Sequence, residues 1–402
     1  MSKHTTMIFV SLCSVLLILG CGKSTSKPPV ESATLEFTRQ PAGTPVVYSG
    51  TNGWPIFPTD PAVIKDGEGY HLFYTTYFCK SGGSYYYSWD SHNLSACNIT
   101  DVVATIGYAF SADKGMTWEF RGSPVVLPGP EDWQIGDLET PFAALWGDTL
   151  YLFYSASGVH SGQPFSDRFQ VGAAILSLNG ESIYQRLMSD AAMFQKRSEP
   201  VLPFNTTITA YDNSTQEPSA VIKDSLLELY YVGVGFSLPD QSADATGQTV
   251  TSVGMAKAVF DRNLSLISKS NGYILPNANI TEVKYIGGNY YVFATSLEQG
   301  EFHENEKITY YSSTDSASWS QPEVLLTPEA GNAFDNWGIM APTVVIEDNE
   351  VVLFYSAWKM EEHQCFPDPF PPDVRFGRPS DNDTKCIYGS FGRAVAPKPS
   401  SF

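Results

Sequence analysis

The sequence predicts an all-β chain built as a five-bladed β-propeller. Three observations carry that expectation: a composition poor in charge and rich in turn formers, a hairpin pattern that recurs five times, and a further strand after each hairpin. Of 402 residues, 17% are charged and 13% aromatic, with 32 Gly and 27 Pro. That balance suits short strands and turns better than helices with charged outer faces. With 43% hydrophobic residues the chain can bury an extensive core, so wholesale disorder is not expected. The 24 Lys+Arg against 43 Asp+Glu leave a net charge of −19, which disfavours nucleic acid, anionic membrane surfaces and polyanionic substrates as partners.

In chain order, residues 1–20 read as an export signal: Lys3 and His4 precede an apolar run from Met7 to Leu19 that is too short to span a bilayer. Leu19-Gly20-Cys21 resembles a bacterial lipobox, which implies cleavage before Cys21 and lipid attachment to its sulfur; an ordinary secretory signal is the alternative. Residues 21–33 (GKSTSKPPV at its centre) form a polar tether, and the propeller domain is expected over 34–402. The mature chain is thus expected outside the cytoplasm as a membrane-anchored lipoprotein, on the periplasmic or cell-surface side. Export leaves Cys79, Cys97, Cys365 and Cys386 in an oxidising compartment. Local pairs, Cys79 with Cys97 and Cys365 with Cys386, are the favoured of three possible connectivities. A zinc site is the weaker alternative, since no CxxC element occurs.

The recurring unit is an acidic residue, Pro, a short apolar run, a turn, then a Tyr/Phe-rich strand. It appears as DPAVIKDGEGYHLFYTT (60–76), ETPFAALWGDTLYLFYSA (139–156), EPSAVIKDSLLELYYVG (217–233), TEVKYIGGNYYVFATS (281–296) and APTVVIEDNEVVLFYSA (341–357). Third strands follow at 106–113, 171–177, 253–260, 308–315 and 387–396, and a weaker fourth completes each blade. Such blades can bury their faces only against neighbours. A β-sandwich would space its strands evenly at about 8–12 residues, without this longer period.

The Asp-Pro opening and the YxLFYT strand resemble the five-bladed propeller glycosidases of the arabinanase, levansucrase and invertase types, glycoside hydrolase families 43 and 32 among them. SADKGMTW (111–118) also matches the Asp-box, with SSTDSASW (312–319) a degenerate copy, which raises a six-bladed sialidase-like alternative. That alternative wants an arginine cluster and an FRIP-like motif, and neither is found. Asp-boxes are expected on the hairpins between third and fourth strands, as turn stabilisers. The resemblance implies cleavage of a glycosidic bond by two carboxylates. Asp60 matches the family's base or nucleophile, Glu217 the residue that orients and tunes its partner, and Glu282 the proton donor, with Glu217 the second choice. Two departures stand out: Glu217 occupies a position usually held by Asp, and Glu282 lacks the Pro-containing sequence that normally follows the acid. Glu139, with Asp137 two residues earlier, adds an acid from blade 2.

The same residues can be argued without the family. Inner strands surround the axis, so Asp60, Glu139, Glu217 and Glu282 are expected to converge at one mouth. Like charges in one pit raise at least one pKa, giving the protonated acid beside an ionised base that glycoside hydrolysis needs. The alternative is that these acids cap blade starts or bind an axial cation. The long segments 77–105, 157–170, 234–250, 297–307 and 358–386 should wall this mouth. Trp54, Trp133, Trp337 and Tyr86, the last in a Tyr-rich loop, could stack on sugar faces; the three tryptophans could equally wedge between blades. His303 in EFHENEK reads as part of a solvated loop. Phosphate-binding loops and nucleophilic triads are not found, the Asn-x-Ser/Thr sequons read as turns, and no cofactor is expected; an axial Ca²⁺ or Na⁺ has no sequence support. A monomer with a carbohydrate partner is the resulting expectation.

Overall fold

The computed structural model describes residues 35–47, 58–81, 84–86, 102–160, 163–164, 168–189, 194–207, 210–236, 250–296, 304–331, 334–362 and 385–402. The signal segment, Cys21, the tether, Trp54, Cys97, Cys365 and His303 lie outside them, so the anchor and both disulfides do too. Cys79 and Tyr86 are opposite each other in a backbone ladder, and Cys386 is opposite Glu361, but their side chains are outside the described set.

Five antiparallel meanders form the expected propeller. Blade 1 runs Thr59–Lys65, Tyr70–Ser81, Val102–Ser111 and Glu119–Phe120; blade 2 runs Leu138–Trp146, Thr149–Ala156, Gln170–Ser177 and Gln195–Lys196. Blade 3 is Ser214–Lys223, Leu226–Phe236, Val250–Phe260 and Leu266–Lys269; blade 4 is Ala278–Ile286, Asn289–Ser296, Ile308–Ser313 and Glu323–Leu326. In blade 5, Gly338–Ile346, Glu350–Glu362 and Lys385–Pro397 are completed by Thr38–Arg39, which pairs with the third strand at Val395 and Ala394. The N-terminal strand therefore closes the ring, a step the repeat pattern did not disclose because the strand is two residues long. The longest connection within a blade falls between second and third strands in blades 1, 3, 4 and 5, but in blade 2 the third-to-fourth connection, which carries a short helix, is longer.

The core is five layers, one at each blade–blade boundary. Phe73, Ile106 and Tyr108 of blade 1 pack on Leu152, Tyr154 and Ala174 of blade 2, and equivalent clusters fill the other four boundaries, including blade 5 against blade 1. The FY pair of the second strand serves two boundaries, because successive side chains leave opposite faces of a strand. Phe73 faces blade 2, whereas Tyr74 faces blade 5. In three blades this tyrosine lies over a cross-strand glycine. A Cβ at Gly107, Gly172 or Gly392 would come within 2.6, 2.4 or 2.1 Å of Tyr74, Tyr154 or Tyr355, so only glycine admits the ring.

Both Asp-boxes sit on third-to-fourth-strand hairpins. Asp113 Oδ1 accepts from the N–H groups of Met116 and Thr117 at 3.1 and 2.9 Å, and Asp315 Oδ1 does the same for Ala317 and Ser318 at 2.8 Å each. They stabilise turns, as expected. One short helix, Ile183–Met188, interrupts the β pattern; its capping box, Ser182 with Gln185, was readable as S-x-x-Q.

Candidate active site at the propeller axis

Each inner strand breaks its ladder once, near its start, and at each break one residue adopts positive φ: Asp60 (52°), Thr140 (48°), Glu217 (55°), Ile280 (40°) and Ala341 (50°). A non-glycine residue there costs about 1–3 kcal/mol, and five at equivalent places mark a built feature. Proline follows four of the five (Pro61, Pro141, Pro218 and Pro342), placing a residue without an N–H where the ladder is interrupted. The amide of the left-handed residue, freed from the ladder, is held by the preceding blade. Asp60 N–H donates to Ser356 Oγ (2.9 Å), Thr140 to Thr75 Oγ1 (2.9 Å), Glu217 to Ser155 Oγ (2.8 Å) and Ala341 to Thr295 Oγ1 (3.0 Å).

Blade 3 has Val232 in the hydroxyl's place, opposite Gln216 as Ser155 is opposite Glu139. The missing acceptor is supplied by Glu217 itself, whose Oε2 takes the Ile280 N–H at 2.7 Å. Glu217 Oε1 accepts from Gln216 Nε2 at 2.9 Å, so both its oxygens are engaged.

Strand register sorts the four acids expected from sequence. Asp60 and Glu217 occupy equivalent left-handed positions. Glu139 is one residue earlier, level with Thr59, Gln216, Asn279 and Met340. Glu282 is two residues past the left-handed Ile280; it pairs with Phe293 as Ser219 pairs with Tyr230 and Thr343 with Phe354. Its chemistry follows that level. Ser219 accepts from Val283 N–H and Thr343 from Val63 N–H, each reaching into the next blade, and Glu282 Oε2 accepts from Val344 N–H in the same manner. Glu282 Oε1 is also 2.6 Å from Lys284 Nζ. Glu282 lines the axial pocket, but as a link between blades 4 and 5, and burial outweighs Lys284 and these hydrogen bonds to raise its pKa. Glu282 thus reaches the axis with Asp60 and Glu217, as the inner-strand argument expects, but from two residues beyond the left-handed position, in the one blade without a proline at the break.

The electrostatic cluster is Asp60, Asp137, Glu139 and Glu217. The Glu139 carboxyl is pushed up to about 8, first by burial and then by Asp137, Asp60 and Glu217. Glu217 is pushed up to about 7 by burial, with its two N–H donors opposing and Asp60 and Glu306 adding to the rise. Burial raises Asp137 against a hydrogen bond from Ala104 N–H, and the Tyr77 phenol is raised by burial and then by Glu139, Asp137 and Asp60. Thr59 Oγ1 donates to Asp60 Oδ2 at 2.8 Å. Glu306 and Tyr77 were missed from sequence. Glu306 lies in the segment read as solvated, yet it is buried, with its carbonyl accepting from Ile339 N–H. Nothing in EFHENEK announces that.

The other side of the axis is apolar. Ile280, Met340, Ala341 and Trp358 pack together there with Trp337, which is part-buried just before the blade 5 inner strand. Trp133 is a wedge: it packs into the blade 1–2 layer, and its Nε1–H donates to Ser198 O at 2.7 Å. A pocket of about 340 Å³, open end included, is lined by the left-handed residues of all five blades with Glu282 and Thr343. Among the described residues no group of three or more His, Cys, Asp or Glu is arranged to hold a metal ion.

No family model and no curated protein matches the sequence. Solved structures do match, and they share the five-bladed propeller. One is BT0996 in an RGII complex, at 13% identity and TM-score 0.56, covering 86% of this protein and 90% of BT0996. Another is Zg3597, a family 117 glycoside hydrolase produced by the marine bacterium Zobellia galactanivorans, at 16% identity and TM-score 0.53 over 90% of each protein. A third, described as a glycoside hydrolase, has 13% identity and TM-score 0.51 over 86% of this protein and 89% of its own length.

Proposed function

We propose that the protein is a glycoside hydrolase acting on an oligo- or polysaccharide by two-carboxylate acid/base catalysis. One observation carries the reading: at the axis, carboxyls from the inner strands of blades 1, 2 and 3 sit in mutual electrostatic range, two of them shifted to about 8 and 7. A protonated carboxyl beside a carboxylate that accepts hydrogen bonds is the pair that glycosidic cleavage requires. Asp60 serves as base, or as nucleophile if configuration is retained. The hydrolase neighbours support the reading through the fold, and the apolar wall around Trp337 gives a sugar's apolar face something to rest on. The chain acts outside the cytoplasm, anchored by lipid on Cys21.

A second reading, a propeller that captures glycan without cleaving it, is favoured by Glu282, which matches the resembled family's acid but lacks the Pro-containing sequence after it and is bound to the Val344 N–H and Lys284. Reducing-sugar release from a polysaccharide panel by wild type and Asp60→Asn separates the two. Release by wild type that is lost in the variant supports hydrolysis; binding without release supports capture. Radiolabelled palmitate incorporation, lost in Cys21→Ser, checks the anchor.

A further inference from the structure

Among the described residues, blade 4 sets no acid at the left-handed position of its inner strand: that residue is Ile280, Glu282 beyond it is paired to Lys284 and bound to the Val344 N–H, and the buried Glu306 belongs to the connection before the third strand. Glu217 is also committed. One oxygen holds Ile280 N–H in place of the hydroxyl absent at Val232, and the other holds Gln216. Glu139 differs from both, since its carboxyl accepts no hydrogen bond among the described residues. It lies within electrostatic reach of Asp60, Asp137 and Glu217, and the Tyr77 phenol, raised first by burial, is raised further by Glu139 itself with Asp137 and Asp60.

We infer that Glu139, on the inner strand of blade 2, is the group that protonates the departing oxygen, so that acid and base sit on adjacent blades. This rests on the glycosidase reading. In a single displacement, Asp60 takes a proton from water as its oxygen bonds to the anomeric carbon. The glycosidic C–O bond breaks with its electron pair on the leaving oxygen, which receives the Glu139 proton. Glu139 is left ionised and Asp60 protonated, and exchange with solvent resets both. Burial and then the surrounding acids keep the Glu139 proton in place at neutral pH, and Glu217, tied to blade 4, orients the pair and adds its charge.

The test compares 2,4-dinitrophenyl with methyl glycosides of α-L-arabinofuranose, β-D-xylose and β-D-fructose, using whichever sugar wild type cleaves fastest. For Glu139→Gln, methyl glycoside turnover should fall about 10²–10⁴-fold, while the activated glycoside, which needs no proton, loses less than about tenfold. Glu282→Gln should keep the wild-type leaving-group dependence. A Glu139→Gln enzyme with unchanged dependence, or the signature appearing in Glu282→Gln or Glu217→Gln instead, overturns the inference and leaves the glycosidase reading standing. Wild type inert on the whole panel sinks that reading and the inference with it. A substrate-free check is ¹³C NMR titration of glutamate carboxyls. One resonance titrating near 8 should vanish in a folded Glu139→Gln variant, and its persistence would assign the proton elsewhere.

Discussion

Blades 1 to 3 and blades 4 and 5 build the same inner strand with the same left-handed break, yet furnish it with opposite chemistry. The first three place Asp60, Thr140 beside Glu139, and Glu217 at the axis, whereas the last two place Ile280 and Ala341 against Trp337 and Trp358. The backbone device is therefore a socket, and the side chain set into it is free to vary. An acidic half can polarise and protonate a bond, while an apolar half can hold the ring that carries it. Glu282 shows the contrast from within: an acid two residues away from the socket does a serine's or threonine's work at a blade boundary.

The largest expected effect is on the acidic half. Asp60→Asn should lower kcat/KM on the cleaved glycan by about 10³-fold or more, with an unchanged melting temperature, because its backbone N–H to Ser356 survives the change. A loss below about tenfold would remove Asp60 from the chemistry. The matching change in the other half, Trp337→Ala, should act on KM with little change in kcat, since it removes surface rather than a proton.

Next in size is the boundary of blades 4 and 5. Lys284→Met leaves a buried carboxyl without its cation and should destabilise the fold by about 2 kcal/mol, less than a fully buried pair would because Lys284 is part-exposed. Glu282→Gln keeps an acceptor for Val344 N–H and should stay within about 1 kcal/mol, with activity within about threefold. Chemical denaturation of the two variants checks the order. A large activity loss with retained fold in Glu282→Gln would return that residue to the catalytic set.

The propeller was legible because its physics is periodic: Pro before an apolar run, then Leu-Phe-Tyr, repeated wherever a blade must face two neighbours. Asp60 and Glu217 were legible for the same reason, each standing just before a repeat proline. The level of Glu282 was not legible, because blade 4 has Thr281 where the others have proline, and only the hairpin register locates its socket. Glu306 and Tyr77 carry no pattern, since what brings them to the axis is the course of a connection and the depth of a strand end. Ring closure by Thr38–Arg39 was hidden because two residues give no period at all.

A smaller effect concerns pH. Below about 4.5 the Glu139 carboxyl is protonated whether the chain is folded or not; between there and about 8 the folded chain keeps a proton that the unfolded chain gives up. Stability should therefore fall as pH rises through that window and level off above it. Glu139→Gln should make the fall shallower, leaving the share that Glu217 contributes below about 7, as urea midpoints measured from pH 4 to 9 would show. An equally steep fall in the variant would place the titrating group elsewhere.

The finest test of the comparison is Val232→Thr, which puts a hydroxyl where the other four blades have Ser or Thr serving the next blade. In wild type the Ile280 amide leans on Glu217, so the two halves of the axis are joined by a carboxylate. A threonine oxygen at position 232 can take that N–H, as Thr295 takes Ala341's, with a stability change within about 1 kcal/mol. Released from one donor, Glu217 loses a hydrogen bond that favours its charged form, and its pKa should rise further. With Glu217 more often neutral, the repulsion on Glu139 weakens, and the alkaline limb of kcat/KM, set by Glu139, should move down by a fraction of a unit. An unmoved limb would mean that Glu217 and Glu139 are not coupled, and would make the acidic half a set of neighbours rather than a working pair. A limb that moves with unchanged kcat at its plateau would show that blade 3 tunes the proton donor through the bond it lends to blade 4.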